Sequence, residues 1–185
     1  MKHIKHISKP ILFLSLILTC ATGACDDYEA SLLDAAWKKF ENQDYDGAYA
    51  EFSALNGPNA RIGLGWTLLR MDSIPEADRA FRIAAADSVL DGYAGIAITS
   101  WETGRYASAI YAANFVERWD PEYYFVHDPS VELNDLILHK AFCQYYLNDL
   151  TACNASIKKL DPAWVTSTNP ATILNKLEVL YDQMD

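Results

Sequence analysis

Histidine and cysteine, from which many metal and redox centres are built, are scarce: the 185-residue chain has four of each. Beyond Cys25 only His127, His139, Cys143 and Cys153 remain. With Glu132 and Asp135 the histidines make an incomplete ligand set of no recognised spacing, so no metal site is expected. Asp135 and the acids around it, with Asp128 or Ser130 as the cap, read better as the start of a helix. Cys143 and Cys153 allow either one disulfide or two small buried thiols. No glycine-rich phosphate loop, nucleophile elbow or Cys-x-x-Cys pair appears, so neither catalysis nor a cofactor is expected. Basic residues are in deficit too. The chain has 15 Lys and Arg against 25 Asp and Glu, and from Cys25 onward 12 against 25, a net charge of −13. Such a balance repels phosphate backbones and excludes nucleic acid as a partner. No apolar run approaches the ~20 residues that a bilayer crossing needs.

The longest apolar run, Ile11–Leu18, follows Lys2, Lys5 and Lys9 and precedes the small residues of "TCATGAC". A basic start, a short apolar middle and a small-residue end form an export signal, expected over residues 1–24. "TGAC" (Thr22–Cys25) resembles the lipobox of bacterial lipoproteins, although Thr22 stands where leucine is usual. That resemblance implies that Cys25 becomes the lipidated first residue, with 25–30 as a linker to a domain over 31–185. Ordinary cleavage near Ala24 is the alternative. In enteric-type bacteria Asp26 after the cysteine implies inner-membrane retention, a rule that varies between phyla, so the membrane leaflet stays open. The "NAS" at 154–156 lies within a helical face and is not read as a glycan acceptor.

Strands have no support, because sustained period-2 alternation is absent; helical spacing is present throughout. Aligned on Ala48, Ala77, Ala109 and Cys153, at spacings of 29, 32 and 44, the chain repeats itself. Three residues earlier stand Tyr45, Ile74, Tyr106 and Leu150; four later come Phe52, Phe81, Ala113 and Ile157. Twelve residues before each anchor is another small residue: Ala36, Gly65, Ala97 and Ala141. Around these lie larger apolar side chains at helical spacing, including Trp37 and Phe40, Trp66 and Leu69, Ile98 and Trp101, Phe142 and Tyr145. Two coordinated small-residue columns predict four helical hairpins whose backbones approach closely. The turns "NQDYD", "MDSIP", "TGRY" and "LNDL" suit helix ends and caps, and Pro58, Pro121 and Pro162 follow second helices. Ile173, Leu177, Leu180 and Met184 give "PATILNKLEVLYDQM" one apolar face, suited to closing the end of a stack.

This pattern resembles the tetratricopeptide repeat, a helix–turn–helix unit of about 34 residues that stacks into a curved solenoid. The likeness spans about residues 29–162, with "DYDGA" and "GRYASA" close to the family's Gly-Asp-Tyr-x-x-Ala turn. Lys39, Ser100 and Gln144 stand where the family prefers tyrosine, and another α-hairpin array is the alternative. The expected fold is all-α: a superhelix of about four hairpins with a C-terminal capping helix. The resemblance implies a concave surface lined by first helices, hence by Trp37, Phe40, Trp66, Leu69, Ile98, Trp101, Phe142 and Tyr145. Those side chains form either an open groove or a covered core. An aromatic insertion at about 118–130, "RWDPEYYFVHDPS", either covers that groove or offers its rings to a partner. The function implied is a lipid-anchored module that docks an envelope protein or peptide, with no cofactor. A glycan-binding or glycan-processing protein is the alternative, and it needs an opposed carboxylate pair in the groove.

Overall fold

The computed structural model describes the backbone of residues 15–86 and 89–184, with side chains from Tyr28 onward. Among the described residues nine helices follow one another: α1 (Ser15–Glu41), α2 (Tyr45–Ala54), α3 (Pro58–Arg70), α4 (Ile74–Ala85), α5 (Leu90–Glu102), α6 (Tyr106–Trp119), α7 (Leu133–Tyr146), α8 (Leu150–Leu160) and α9 (Pro170–Tyr181). Among the described residues the only β pairing is one antiparallel bridge, Tyr124–Glu132. Each expected second helix is present and begins three residues before its small anchor, at Tyr45, Ile74, Tyr106 and Leu150. Pro58 opens α3, where its missing N–H costs nothing.

The four hairpin turns share one backbone solution. Gln43, Asp72, Gly104 and Asn148 have φ between 59° and 69°, each five residues before its small anchor. The following N–H then closes the preceding helix in every turn. Asp44 donates to the Lys39 carbonyl at 2.9 Å, Ser73 to Leu68 at 2.9 Å, Arg105 to Ser100 at 2.8 Å and Asp149 to Gln144 at 2.8 Å. This is the six-to-one closure of a left-handed helix cap. Asp44 and Asp149 also cap the next helix, accepting from the N–H of Gly47 and Ala152 at 3.0 Å. Only Gly104 adopts the left-handed region without a Cβ penalty. Gln43→Gly should therefore stabilise the chain by about 0.5–1 kcal/mol, read as a higher urea midpoint at unchanged slope. A lower midpoint would show that the Gln43 side chain contributes more than its backbone strain costs.

All eight small positions are buried: Ala36, Ala48, Gly65, Ala77, Ala97, Ala109, Ala141 and Cys153. They let large rings close the hairpin interfaces. Phe81 of α4 fits between two glycines, since a Cβ on Gly65 would lie 2.6 Å from its ring and one on Gly95 2.5 Å. Gly63 makes the same room for Phe52 of α2. A side chain at Gly65 or Gly95 forces Phe81, fully buried, out of its slot.

Contacts between successive hairpins fix the curvature. First helices touch in series, α1 with α3, α3 with α5, α5 with α7 and α7 with α9, whereas α2, α4, α6 and α8 do not touch one another. The first helices thus form the inner layer and the second helices splay outside it. Helix α9 closes the C-terminal end by burying Ile173, Leu177 and Leu180 against α7 and α8. Its connection from α8 is held by Asn154, whose amide donates to the Leu150 and Ser167 carbonyls (2.7 and 2.9 Å) and accepts from Trp164 Nε1 and Ser167 N (2.8 and 3.0 Å). Asn154 is buried and its hydrogen-bonding capacity is filled, which is how the structure treats the "NAS" triplet.

Residues 1–14, with the basic start and part of the apolar run, lie outside the described residues, as does the Cys25 side chain. The backbone is helical through 25–30 as part of α1. Among the described residues no helix is long and apolar enough to cross a membrane. Cys143 and Cys153 are free thiols, both buried, and burial raises them to about 12 and about 11.

Candidate functional site

The inner layer presents the aromatic stripe foreseen from the sequence, and the chain itself covers half of it. Helix α6 continues through Trp119 and α7 starts at Leu133, so the insertion occupies 120–132. It folds into a small closed turn: Phe125 N–H donates to the Val131 carbonyl and Leu133 N–H to Tyr123, both at 2.9 Å. The turn then lies over α1 and α3. Phe125 is 0% exposed, stacked on Trp66 at 4.2 Å with its ring edge-on to Trp37 at 5.8 Å and Phe40 at 6.2 Å. Tyr123 is buried too, its hydroxyl donating to Asp91 at 2.9 Å. Burial and the Asp91 charge push that hydroxyl far above the usual phenol range, so it stays a donor at any working pH. Trp119 and Tyr124, by contrast, are 64% and 56% exposed.

The stripe is therefore divided. Trp37, Phe40 and Trp66 are core beneath the insertion, Phe142 is buried farther along, and none of the four offers an open binding surface. Leu69, Ile98, Trp101 and Tyr145 are half-buried. Ile98 lines a cleft of ≈ 390 Å³ together with Arg70, Ser130, Val131, Asp135, Leu138, His139, Tyr181 and Met184. Its walls come from α3, α5, α7 and α9, with the insertion as one rim. Periodicity alone could not place Tyr181 and Met184 here, because their rim depends on how α9 docks against α7.

The cleft's polar groups are few and distinct. Arg70 is neutralised by an ion pair with Asp128 of the insertion. Asp135 accepts from Glu132 N–H at 2.7 Å, and burial raises its carboxyl despite that bond. Glu132, not Asp128 or Ser130, precedes the first residue of α7. Asp128 instead accepts from the Ser130 hydroxyl at 2.6 Å and braces the turn. His139, one helical turn after Asp135, is stacked on Trp101 with centroids 5.6 Å apart, and its Nδ1 is buried without a hydrogen-bond partner. Burial lowers its imidazole from 6.5 to about 4, leaving it neutral at pH 7. Among the cleft residues Asp135 is the single carboxylate. Glycoside hydrolysis needs two carboxylates facing one bond, and this cleft does not bring two together. Among the described residues no group of three or more metal-ligating side chains forms; His127 and His139 go to separate tasks.

Outside the cleft two further clusters do structural work. Asp78 of α4, buried, accepts from Thr99 (3.0 Å) and pairs with Arg82 (2.9 Å) and Arg105 (2.7 Å), tying two hairpins together. Lys140 of α7, with 3% of its side chain exposed, is held at 2.5 Å by Glu117 of α6.

No protein-family model matches the chain, and no curated protein does. Solved structures do. "MamA AMB-1" superposes with a TM-score of 0.62 at 12% identity, covering 86% of this chain and 84% of that one. A tetratricopeptide repeat protein from Parabacteroides merdae gives 0.59 at 15% identity, over 84% of this chain and 62% of that one. The thermophilic tetratricopeptide protein TTC0263 of Thermus thermophilus gives 0.55 at 20% identity, over 84% and 82%. The fold is thus a tetratricopeptide-like α-α superhelix.

Proposed function

We propose that this chain is an exported, lipid-anchored docking module of a bacterial cell envelope, which holds a segment of another protein on the open part of its inner face. The supporting observation is the cleft between α5, α7 and α9, whose lining includes the apolar side chains of Ile98, Val131, Leu138 and Met184 together with Asp135. Bulky apolar side chains fill such a lining, and an acidic chain with a desolvated carboxylate there selects a basic residue beside them. Anchoring rests on the lipobox-like Thr22–Cys25 after the apolar run.

A photo-crosslinking residue at Ile98 in the full chain, expressed in its own host, should give one dominant adduct, whereas the same residue at Tyr111 on α6 should not. Tyr181→Ala, which removes a wall of the cleft, should cut the Ile98 adduct at least 5-fold with unchanged helicity. Equal adducts from both sites, or no effect of Tyr181→Ala, would refute the cleft as the docking site. Cys25→Ser should move the chain from the membrane to the soluble exported fraction; retention on the membrane would refute the anchor.

A further inference from the structure

The insertion 120–132 is a folded element of unusual independence. Its backbone hydrogen bonds run within itself or to the adjoining ends of α6 and α7; among the described residues none reaches α1–α5. It meets those helices through side chains alone. Phe125 enters the slot formed by Trp37, Phe40 and Trp66. His127, two residues on, lies flat on Trp37 (3.7 Å, 2° between planes) with Nδ1 2.8 Å from a carboxylate oxygen of Glu41. Asp128 pairs with Arg70. Tyr123 bonds Asp91 at the other side. Two of the three polar contacts are at the rim, with Glu41 and Arg70 side chains 47% and 36% exposed. Only Phe125, Tyr123 and Val131 are sunk.

This arrangement is how a peptide sits in a groove: one aromatic anchor in a pocket, flanked by charged contacts at the edge. The fit is incomplete. Trp66, on which Phe125 stacks, is 0% exposed and its indole N–H has no acceptor. A buried donor left unpaired is a standing cost of the resident arrangement.

We infer that the 120–132 turn is a resident stand-in for a ligand, and that the slot beneath it accepts a partner segment of matching pattern. That segment carries an aromatic residue for the Trp37–Phe40–Trp66 slot, a basic or imidazole side chain two residues later for Glu41, and an acid next to it for Arg70. The inference rests on the reading of the inner face as a docking surface, but uses its covered half. Opening hinges at Asp120 and Leu133, where the turn joins α6 and α7; it releases the side-chain contacts to Glu41, Arg70 and Asp91 but breaks no backbone hydrogen bond to another hairpin.

Native-state hydrogen exchange on the wild-type chain tests the opening. The bonded amides of Phe125, Val131 and Leu133 should exchange at least 10-fold faster than those of Gly65 and Gly95 in α3 and α5, with a shallower denaturant dependence. Identical rates and slopes would make the turn part of the global core and overturn the inference. The probe for the slot is a synthetic peptide of residues 119–133, added in trans. A Phe125→Ala/His127→Ala chain, whose own turn docks weakly, should bind it at least 10-fold tighter than the wild type, and a peptide with Phe125→Ala should bind neither. No binding by the folded variant, or equal binding by both chains, would overturn the inference too. The Ile98 crosslink depends on the open cleft, so its loss with the peptide result intact refutes only the cleft reading, and the converse refutes only this one.

Discussion

Phe125→Ala should lower the free energy of unfolding by about 3–5 kcal/mol, the usual cost of truncating a fully buried phenylalanine. The ring fills the space among Trp37, Phe40 and Trp66 and is 0% exposed. Nothing on the opposite side of the slot can collapse into the gap, because those rings are fixed on α1 and α3 by Phe52 and Phe81. The loss has an upper bound of a particular kind. Once it exceeds the free energy with which the turn docks, the variant keeps its helices and releases the turn instead. Far-ultraviolet circular dichroism should then change little while tryptophan emission shifts red, as Trp37 and Trp66 meet water. The neighbouring Tyr124→Ala, at a ring 56% exposed, should stay within about 0.5 kcal/mol of the wild type. Equal effects at the two positions would mean that Phe125 does not hold the turn in place.

The division between what the sequence discloses and what it withholds follows from where each signal lives. The hairpins were legible because a close helix–helix approach demands small side chains at fixed offsets, so Ala36 and Ala48, or Gly65 and Ala77, announce each other. Turn positions were legible because Asp, Asn and Gly recur there, although the left-handed geometry at Gln43 carries no residue signature at all. The glycine slots for Phe52 and Phe81 were half visible: Gly63 and Gly95 recur two residues before Gly65 and Ala97, a partial column that the small-residue alignment passed over. The insertion's composition said that aromatics were present but not which would be sunk, since Tyr123 and Tyr124 are chemically identical and face opposite ways. That choice depends on distant contacts, of Tyr123 with Asp91 on α5 and of Phe125 with the rings of α1 and α3, and no local pattern encodes it. The cleft was least legible, being assembled from four helices and a rim.

Glu117→Gln should cost as much as Phe125→Ala, about 3–5 kcal/mol, for an electrostatic reason. Lys140 is sealed between α6 and α7, 3% of its side chain exposed, with its ammonium donating to Glu117 at 2.5 Å and to Asn114 at 3.2 Å. Glu117 also holds Lys159, which is half-exposed and returns to water at little cost when released. The two partners are shifted in ways that expose the balance. Burial pushes Glu117 up, but its bonds to Lys140 and Lys159 outweigh this and hold the carboxyl below its ordinary 4.5. Burial pulls Lys140 down from 10.5, and Glu117 restores only part. Intact, the pair contributes little net stability; broken, it leaves a buried ammonium with no counter-charge, only the neutral amide oxygens of Asn114 and of the substituted side chain. The double variant Glu117→Gln/Lys140→Met should therefore recover most of the loss, to within about 1 kcal/mol of the wild type, because an apolar chain of similar length needs no counter-charge. The pH dependence separates this pair from His139. A carboxyl depressed in the folded state stabilises above 4.5 and loses that contribution as pH falls through its folded value, so this part of the acid slope should vanish in Glu117→Gln. An imidazole lowered to about 4 acts in a higher window: between 6.5 and 4 the unfolded chain binds the proton more readily, and stability falls with pH there. That upper slope should survive in Glu117→Gln and disappear in a folded His139→Phe variant. A single Glu117→Gln loss below 1 kcal/mol would mean that Lys140 reaches water around α6, and the buried pair would then have no hold on the packing of the third and fourth hairpins.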